Sequence, residues 1–289
     1  MTLSYDPSIK ADSGKYITVF QYGINLDPGD PHIIGNATTQ KMGWVNLGGV
    51  VDTKKNTITV PVNSFGFFQV MYMDNSFTDV TNHAWARDVL DTLYSKGFMQ
   101  NKNARLFAPD DSITRGEFVT MLVNALNIPL VNNDTATNIT NPSDPNYSGS
   151  FGDVPRGTAN PLFDFIHIEA AARVGIIRGA NQGVFLPNDS ITRQDAAVII
   201  ARAMQLKLTA NADTSLANLS KMFTDATGVN TYAVPSVEAV AKAGLMDGEE
   251  NTLLPGQKKA TFRFSPIGNL TRAQAAEIVH RILVKLKKI

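Results

Sequence analysis

The sequence predicts a mixed fold in two parts: a small all-β, sandwich-like domain over residues 1–76, then a mainly helical array of three repeats over 77–289. Three observations carry this reading. Apolar and polar residues alternate in short runs up to about residue 76, helical periodicity replaces that alternation from Phe77, and a fixed set of residue offsets then recurs three times.

The runs "KYITVFQYGI", "NTITVPV" and "FGFFQVMYM" read as strands, because Gly, Pro, Asn and Asp separate them and a half-buried pleated strand alternates with period two. At "WARDVLDTLYSKG" the period becomes helical, which places Trp85, Val89, Leu90, Leu93 and Tyr94 on one face and Gly97 at a helix C-cap. Each repeat opens on Phe-x-Asp: Phe77 and Asp79, Phe151 and Asp153, Phe223 and Asp225. An aromatic residue (Trp85, Phe163 or Tyr232) stands 12 residues before a glycine (Gly97, Gly175 or Gly244), and four residues later come Asn101, Gly179 and Gly248. Phe-x-Pro follows at Phe107, Phe185 and Phe264, and a Thr-Arg arginine lies 8 residues beyond each phenylalanine. Those arginines, Arg115, Arg193 and Arg272, are 78 and 79 residues apart.

Each unit therefore reads as a first helix, a turn with an extended segment, and an apolar second helix beginning at Thr-Arg. A unit of roughly 55 residues cannot bury its apolar faces alone, so the three are expected to share a core. The boundaries run 77–130 for the first repeat, 151–208 for the second and 223–289 for the third. Between them lie a polar loop at 131–150 and a linker at 209–222, and the third repeat carries an insertion near "PGQKKATFRF".

The Thr-Arg motif occurs as "DSITRGEF", "DSITRQDA" and "GNLTRAQA". Thr114, Thr192 and Thr271 fit helix N-caps, with Glu117, Asp195 and Gln274 at N3, where the first and third complete the S/T-x-x-E/Q capping box. Capping does not explain an arginine at N1, where the helix dipole prefers an acid. One explanation is an ion pair within the fold, to Asp79, Asp153 or Asp225; the other is an anionic ligand. A helix N-terminus offers free N–H donors, and a guanidinium beside it adds a planar fork matched to a carboxylate or phosphate. Trp85, Phe163 and Tyr232 suit either a sugar face or core packing, and Asn101, Gly179 and Gly248 suit either close approach to a ligand or a left-handed turn.

Composition narrows the alternatives. A formal net charge of zero argues against a nucleic-acid footprint, and the absence of cysteine excludes disulfides and thiolate-ligated zinc. No run of about 18 apolar residues supports membrane insertion. The four histidines show no HExxH or comparable metal spacing, and no nucleophile elbow or phosphate-binding glycine loop occurs, so neither a catalytic residue, a metal nor a cofactor is expected. The Asn- and Asp-rich segment 132–150 lacks calcium-loop spacing and reads as a solvated loop.

Taken jointly, Phe-x-Asp, the aromatic at the first helix, the paired glycines, Phe-x-Pro and Ile-Thr-Arg-x-Glu resemble tandem S-layer homology domains over about residues 77–289. The resemblance implies a pseudo-threefold array around a central helical bundle, and non-catalytic anchoring to secondary cell-wall polysaccharide of a bacterium through grooves between units. It implies an acidic, pyruvylated N-acetylmannosamine as the sugar and an extracellular, cell-wall location. By resemblance the ligand-contacting residues are Arg115, Arg193 and Arg272, with Asp79, Asp153, Asp225, Trp85, Phe163, Tyr232, Asn101, Gly179, Gly248, Glu117, Asp195 and Gln274 around them. All three motifs depart from Thr-Arg-Ala-Glu, so unequal grooves are expected, the weakest being the one that depends most on the third repeat. Other surface-layer subunits are the alternative partner, and an accessory region of a polysaccharide hydrolase is a second alternative. The first 76 residues resemble the closing part of a β-sandwich, and the chain is expected to be the C-terminal part of a larger secreted protein.

Overall fold

The computed structural model of the chain describes residues 1–9, 12–23, 43–62, 65–74, 77–130, 149–155, 158–179, 183–253 and 259–289. The expected loop at 131–148 and residues 254–258 of the third-repeat insertion lie outside the described residues.

The N-terminal part consists of β1 (Thr2–Ser4), a short helix α1 (Ser13–Tyr16), β2 (Ile17–Gly23), β3 (Gly43–Gly48), β4 (Val50–Asp52), β5 (Thr57–Thr59) and β6 (Phe67–Tyr72). They form two three-stranded antiparallel sheets, ordered β1-β5-β4 and β3-β2-β6. Period two decides what each strand buries: Ile17 and Val19 of β2 join Tyr5, Ile58 and Val60 in one small core. Gly49 is required there, since it has φ +125° and a Cβ would lie 2.7 Å from Ile58 and Val60 side chains.

The first unit consists of α2 (Thr78–Thr81) and α3 (Arg87–Ser95), followed by α4 (Arg115–Leu126). The second unit has a two-residue ladder, β7 (Ala159–Asn160) with β8 (Phe163–Asp164), then α5 (Phe165–Arg173) and α6 (Arg193–Ala203). The third has α8 (Val234–Lys242), a ladder of β9 (Glu249–Glu250) with β10 (Phe262–Arg263), and α9 (Arg272–Lys285). Segment 209–222, read from sequence as a linker, contains a capped helix, α7 (Ala212–Leu219), packed on α8. Apolar residues of all three units form one continuous core, from Val80 through Phe118, Ile200 and Val237 to Leu283.

The first helices end where the glycines predicted. Gly97, Gly175 and Gly244 have φ of 76°, 76° and 68°, and the residue after each donates back five residues along the chain, as in Phe98 N–H to the Leu93 carbonyl. Trp85 departs from expectation: it precedes α3 rather than lying on its buried face and is 55% exposed, whereas Leu90 and Leu93 are fully buried.

A buried acid also stands six residues before each of these glycines, a regularity that has no part in the sequence reading: Asp91, Glu169 and Glu238. Each receives the chain arriving from upstream. Asp91 accepts from Tyr16 Oη of the β-module (3.2 Å), and Glu169 accepts from Ser150 N and Oγ (2.9 and 3.1 Å). Glu238 accepts from Thr209 and Ser215 hydroxyls, each at 2.7 Å, and from Asn218 and Lys242. At the seam with the β-module, buried Lys96 donates to the carbonyls of Ile17 and Gly49, with no carboxylate partner among the described residues, and burial pulls its ammonium down to about 8.

Contacts between units run in a closed cycle. Thr114 bridges Ser190, Thr192 bridges Asn269, and Thr271 bridges Ser112. The first two N–H groups of α4 donate to Asp189 and Pro187, those of α6 to Gly268 and Pro266, and those of α9 to Asp111 and Pro109. Helix-start donors left without an intrahelical partner are thus satisfied by the next unit's Phe-x-Pro turn. Lys288 adds to the closure by donating to Ala125 O at the end of α4, at 2.7 Å.

Candidate functional site

The three Phe-x-Asp aspartates have one job in common. Asp79 accepts from the N–H groups of Phe107 and Ala108, Asp153 from Phe185 and Leu186, and Asp225 from Phe264 and Ser265, at 2.7–3.2 Å. The second residue of each pair is a non-glycine at positive φ: Ala108 at 59°, Leu186 at 60° and Ser265 at 56°. A carboxylate that gathers two adjacent N–H groups holds a backbone conformation that an L-residue resists. None of these aspartates is ion-paired to an arginine among the described residues, so an ion pair with these three acids does not account for the repeated arginine.

The turn so held presents a phenylalanine ring and its carbonyl to the arginine of the preceding unit. Arg115 Nε donates to Phe185 O (3.0 Å), Arg193 Nε to Phe264 O (2.6 Å) and Arg272 Nε to Phe107 O (3.0 Å). Each guanidinium lies over the same phenylalanine ring, 5.0–5.1 Å from its centroid. Phe-x-Asp, Phe-x-Pro and Thr-Arg therefore form one assembly, repeated at three junctions.

The junctions differ in what completes the guanidinium. Arg272, 1% exposed, also donates to Gln100 O (2.6 Å) and forms an ion pair with Glu117 of the first unit. Burial pushes the Glu117 carboxyl up, with Arg272 acting against it. Arg193, 5% exposed, donates to Asp247 O (2.6 Å) and has no carboxylate partner among the described residues. Burial pulls its guanidinium below the ordinary value, opposed by the more distant Glu249, Asp225 and Asp247. Arg115 is half-buried, and its two terminal nitrogens have no partner among the described residues.

The N3 residues follow suit. Thr114, Thr192 and Thr271 cap their helices as expected, accepting from the N3 N–H at 3.1–3.2 Å. Only Thr271 forms the reciprocal box, with Gln274 Oε1 accepting from Thr271 N at 3.2 Å. The box expected from Glu117 does not form, because its carboxylate is turned to Arg272 instead. Asp195 takes the hydroxyls of Thr192 (2.7 Å) and Tyr232 (2.6 Å).

The aromatic positions split. Trp85 and Tyr232 are exposed, at 55% and 58%, whereas Phe163 is 2% exposed. Trp85 stands edge-on to His83, which accepts from Ala86 N at Nδ1 and faces Asp110 with Nε2. Tyr232 hydroxyl donates to Asp195 and accepts from Gln194 Nε2 (3.2 Å); burial, together with Asp195, pushes it up to about 12. Phe163 instead packs on Gly116, where a Cβ would lie 2.6 Å from its ring. The glycine in Thr-Arg-Gly-Glu is thus the counterpart of an inward phenylalanine, and Gly116→Ala is expected to destabilise the chain by about 1 kcal/mol through overpacking. Urea denaturation of the two proteins measures it.

The left-handed turn, one of the two readings of these positions, is not formed at Asn101 or Gly248, since neither has positive φ. Gly248 is required for close approach: a Cβ would lie 2.6 Å from the Phe223 ring and 2.8 Å from Arg263 O. Asn101 uses its side-chain amide on Asn103 O (2.8 Å), and Gly179 is half-buried. Among the described residues no group of three or more His, Cys, Asp or Glu is placed to hold a metal ion, and no helix is long and apolar enough to cross a membrane.

Residues 76–119, 161–197 and 223–276 match the S-layer homology domain. The chain is 32% identical to an amylopullulanase of Thermoanaerobacterium thermosulfurigenes over 86% of its own length and 12% of that protein. It is 31% identical to exoglucanase XynX of Acetivibrio thermocellus over 73% of its length and 16% of that protein. An S-layer protein of Bacillus thuringiensis subsp. finitimus is 29% identical over 47% of the chain and 14% of its own length. The chain thus spans less than a fifth of each of these relatives. Domains of this family mediate cell-wall anchoring.

Proposed function

Because three segments of this chain belong to the S-layer homology domain family, we propose that it anchors a bacterial surface protein to the cell wall by binding secondary cell-wall polysaccharide, without catalysis. The sugar is a pyruvylated N-acetylmannosamine, held in grooves between units related by a pseudo-threefold axis, a relation that the cyclic contacts support. Boundaries at 77–130, 151–208 and 223–289 divide the array, and the two sheets of residues 1–76 form a small sandwich docked on the first unit.

The observation that carries the ligand chemistry is the desolvated guanidinium of Arg193, which has no carboxylate partner among the described residues, together with the terminal nitrogens of Arg115, which have no partner among them either. A buried cation without an anion is costly, and a pyruvate ketal supplies a carboxylate for the planar fork. Arg272, already paired with Glu117, marks the weakest groove. Exposed Tyr232 and Trp85 offer ring faces, while Phe163 contributes only packing.

The test is a pulldown of the chain on purified sacculi before and after acid stripping of the secondary polymer. Binding lost on stripping supports the reading, and binding that survives overturns it in favour of a protein lattice partner, the alternative that the S-layer relative favours. Arg193→Ala is expected to weaken binding at least tenfold, about 1.4 kcal/mol, and Thr192→Ala much less in a folded protein. Equal losses in affinity return the arginine to a purely structural role.

A further inference from the structure

We infer that Arg178 and Arg202 of the second unit form an anion site of their own, apart from the three junctions, and that the group it takes is a phosphate. The site goes beyond the anchoring proposed above and does not depend on the sugar bound there.

The three repeats differ at one pair of positions. Arg178 and Asp247 stand three residues after Gly175 and Gly244, and Arg202 and Arg281 stand nine residues after Arg193 and Arg272. In the third unit the two places form an ion pair, Arg281 with Asp247, and Arg281 also meets Glu277 one turn earlier on α9 at 2.8 Å. In the second unit both acids are gone, since Arg178 stands in place of the aspartate and Val198 in place of the glutamate. The first unit has the neutral pair Gln100 and Asn124 at the same places. One pair of positions thus carries two amides, two cations, or a cation and an anion.

Arg202 is half-buried in the last turn of α6, Arg178 is exposed, and neither has a hydrogen-bond or ion-pair partner among the described residues. Burial pulls the Arg202 guanidinium below its ordinary value, and the charge of Arg178 pulls the same way. The helix dipole favours one cation at the end of α6, but it gives no reason for a second where the third unit has an acid. Two like charges that approach without an anion repel, and an anion set between them removes that cost.

The junctions do not use these side chains. At the corresponding positions it is the backbone carbonyl, of Gln100 or Asp247, that meets a junction arginine, whereas the Asp247 side chain turns to Arg281 on the second helix of its own unit. Two guanidiniums that approach from different elements, a turn and a helix end, suit a tetrahedral oxyanion, which offers oxygens to both forks; a planar carboxylate is filled by one.

The experiment titrates the full, isotope-labelled chain with inorganic phosphate at constant ionic strength and follows the arginine Nε–H resonances, assigned by substitution. Arg178 and Arg202 are expected to shift together and saturably in the millimolar range, while Arg263 and Arg281, which have carboxylate partners, stay in place. Dimethyl phosphate as a second titrant separates the sources of the group: a diester that binds as well identifies the backbone of a phosphodiester polymer, and one that does not identifies free phosphate or a monoester. Arg178→Asp gives the second unit the arrangement of the third. It is expected to weaken phosphate binding about tenfold or more and to raise the urea midpoint, because Arg202 gains a partner in place of a like charge. The raised midpoint distinguishes a closed site from a damaged fold. Resonances that follow chloride as closely as phosphate overturn the site, as does phosphate binding that is unchanged in Arg178→Asp. Acetate that matches phosphate overturns the ligand class.

Discussion

Arg272→Ala is expected to lose about 3–5 kcal/mol of stability, the largest effect of any single arginine in the array. The substitution strands Glu117, 3% exposed, without its counterion and removes donors to Phe107 O and Gln100 O. Burial already pushes the Glu117 carboxyl up, and without Arg272 the charge still acting against this is Lys102, a smaller influence than Arg272. The damage falls on the contact that closes the third unit onto the first, so urea unfolding should show a lower midpoint. Arg115→Ala is the contrast. It removes one hydrogen bond from a half-buried side chain and strands no acid, so its cost is about 1 kcal/mol, and under the proposed function its main effect is expected in polysaccharide binding. Similar stability losses in the two variants would contradict the distinction between a paired and an open arginine.

Acidification is expected to release the segment that enters the third unit. Glu238 is worked on by burial, which raises its carboxyl, but the donors from Lys242, Ser215, Thr209 and Asn218 outweigh this and hold it at about 2. Because the folded value lies below the ordinary 4.5, the stabilisation is fully present above pH 4.5 and is lost as pH falls from there towards about 2. The side chain is sealed by α7, and a shift of that size corresponds to a contribution of about 3 kcal/mol. Hydrogen exchange across Ala212–Leu219 should accelerate over that window in the wild type. Glu238→Gln should show fast exchange at neutral pH and little further change on acidification; a wild-type-like pH profile in that variant would refute the assignment.

Much of this architecture is legible in the sequence because its causes are local. Thr114, Thr192 and Thr271 cap the helices that their motifs predict, and Gly97, Gly175 and Gly244 end the preceding ones, since both choices depend on residues within one turn. The buried acids at Asp91, Glu169 and Glu238 were equally regular in spacing, six residues before each glycine. They passed unnoticed because Asp and Glu on a helix ordinarily read as a solvated face.

By itself, the sequence determined that one set of spaced motifs recurs three times, how each second helix starts, and that an arginine stands three times where the dipole disfavours it. Only the tertiary structure decided what each arginine meets. Arg272 finds Glu117 from 155 residues away, while Arg115 and Arg193 find a ring and carbonyls but no carboxylate among the described residues. It likewise decided that Phe163 turns inward onto Gly116 while Trp85 and Tyr232 face water. Periodicity fixes a residue's place on its own helix, but its partner comes from the neighbouring unit, and charge pairing across that junction depends on lengths and distances that no single repeat encodes.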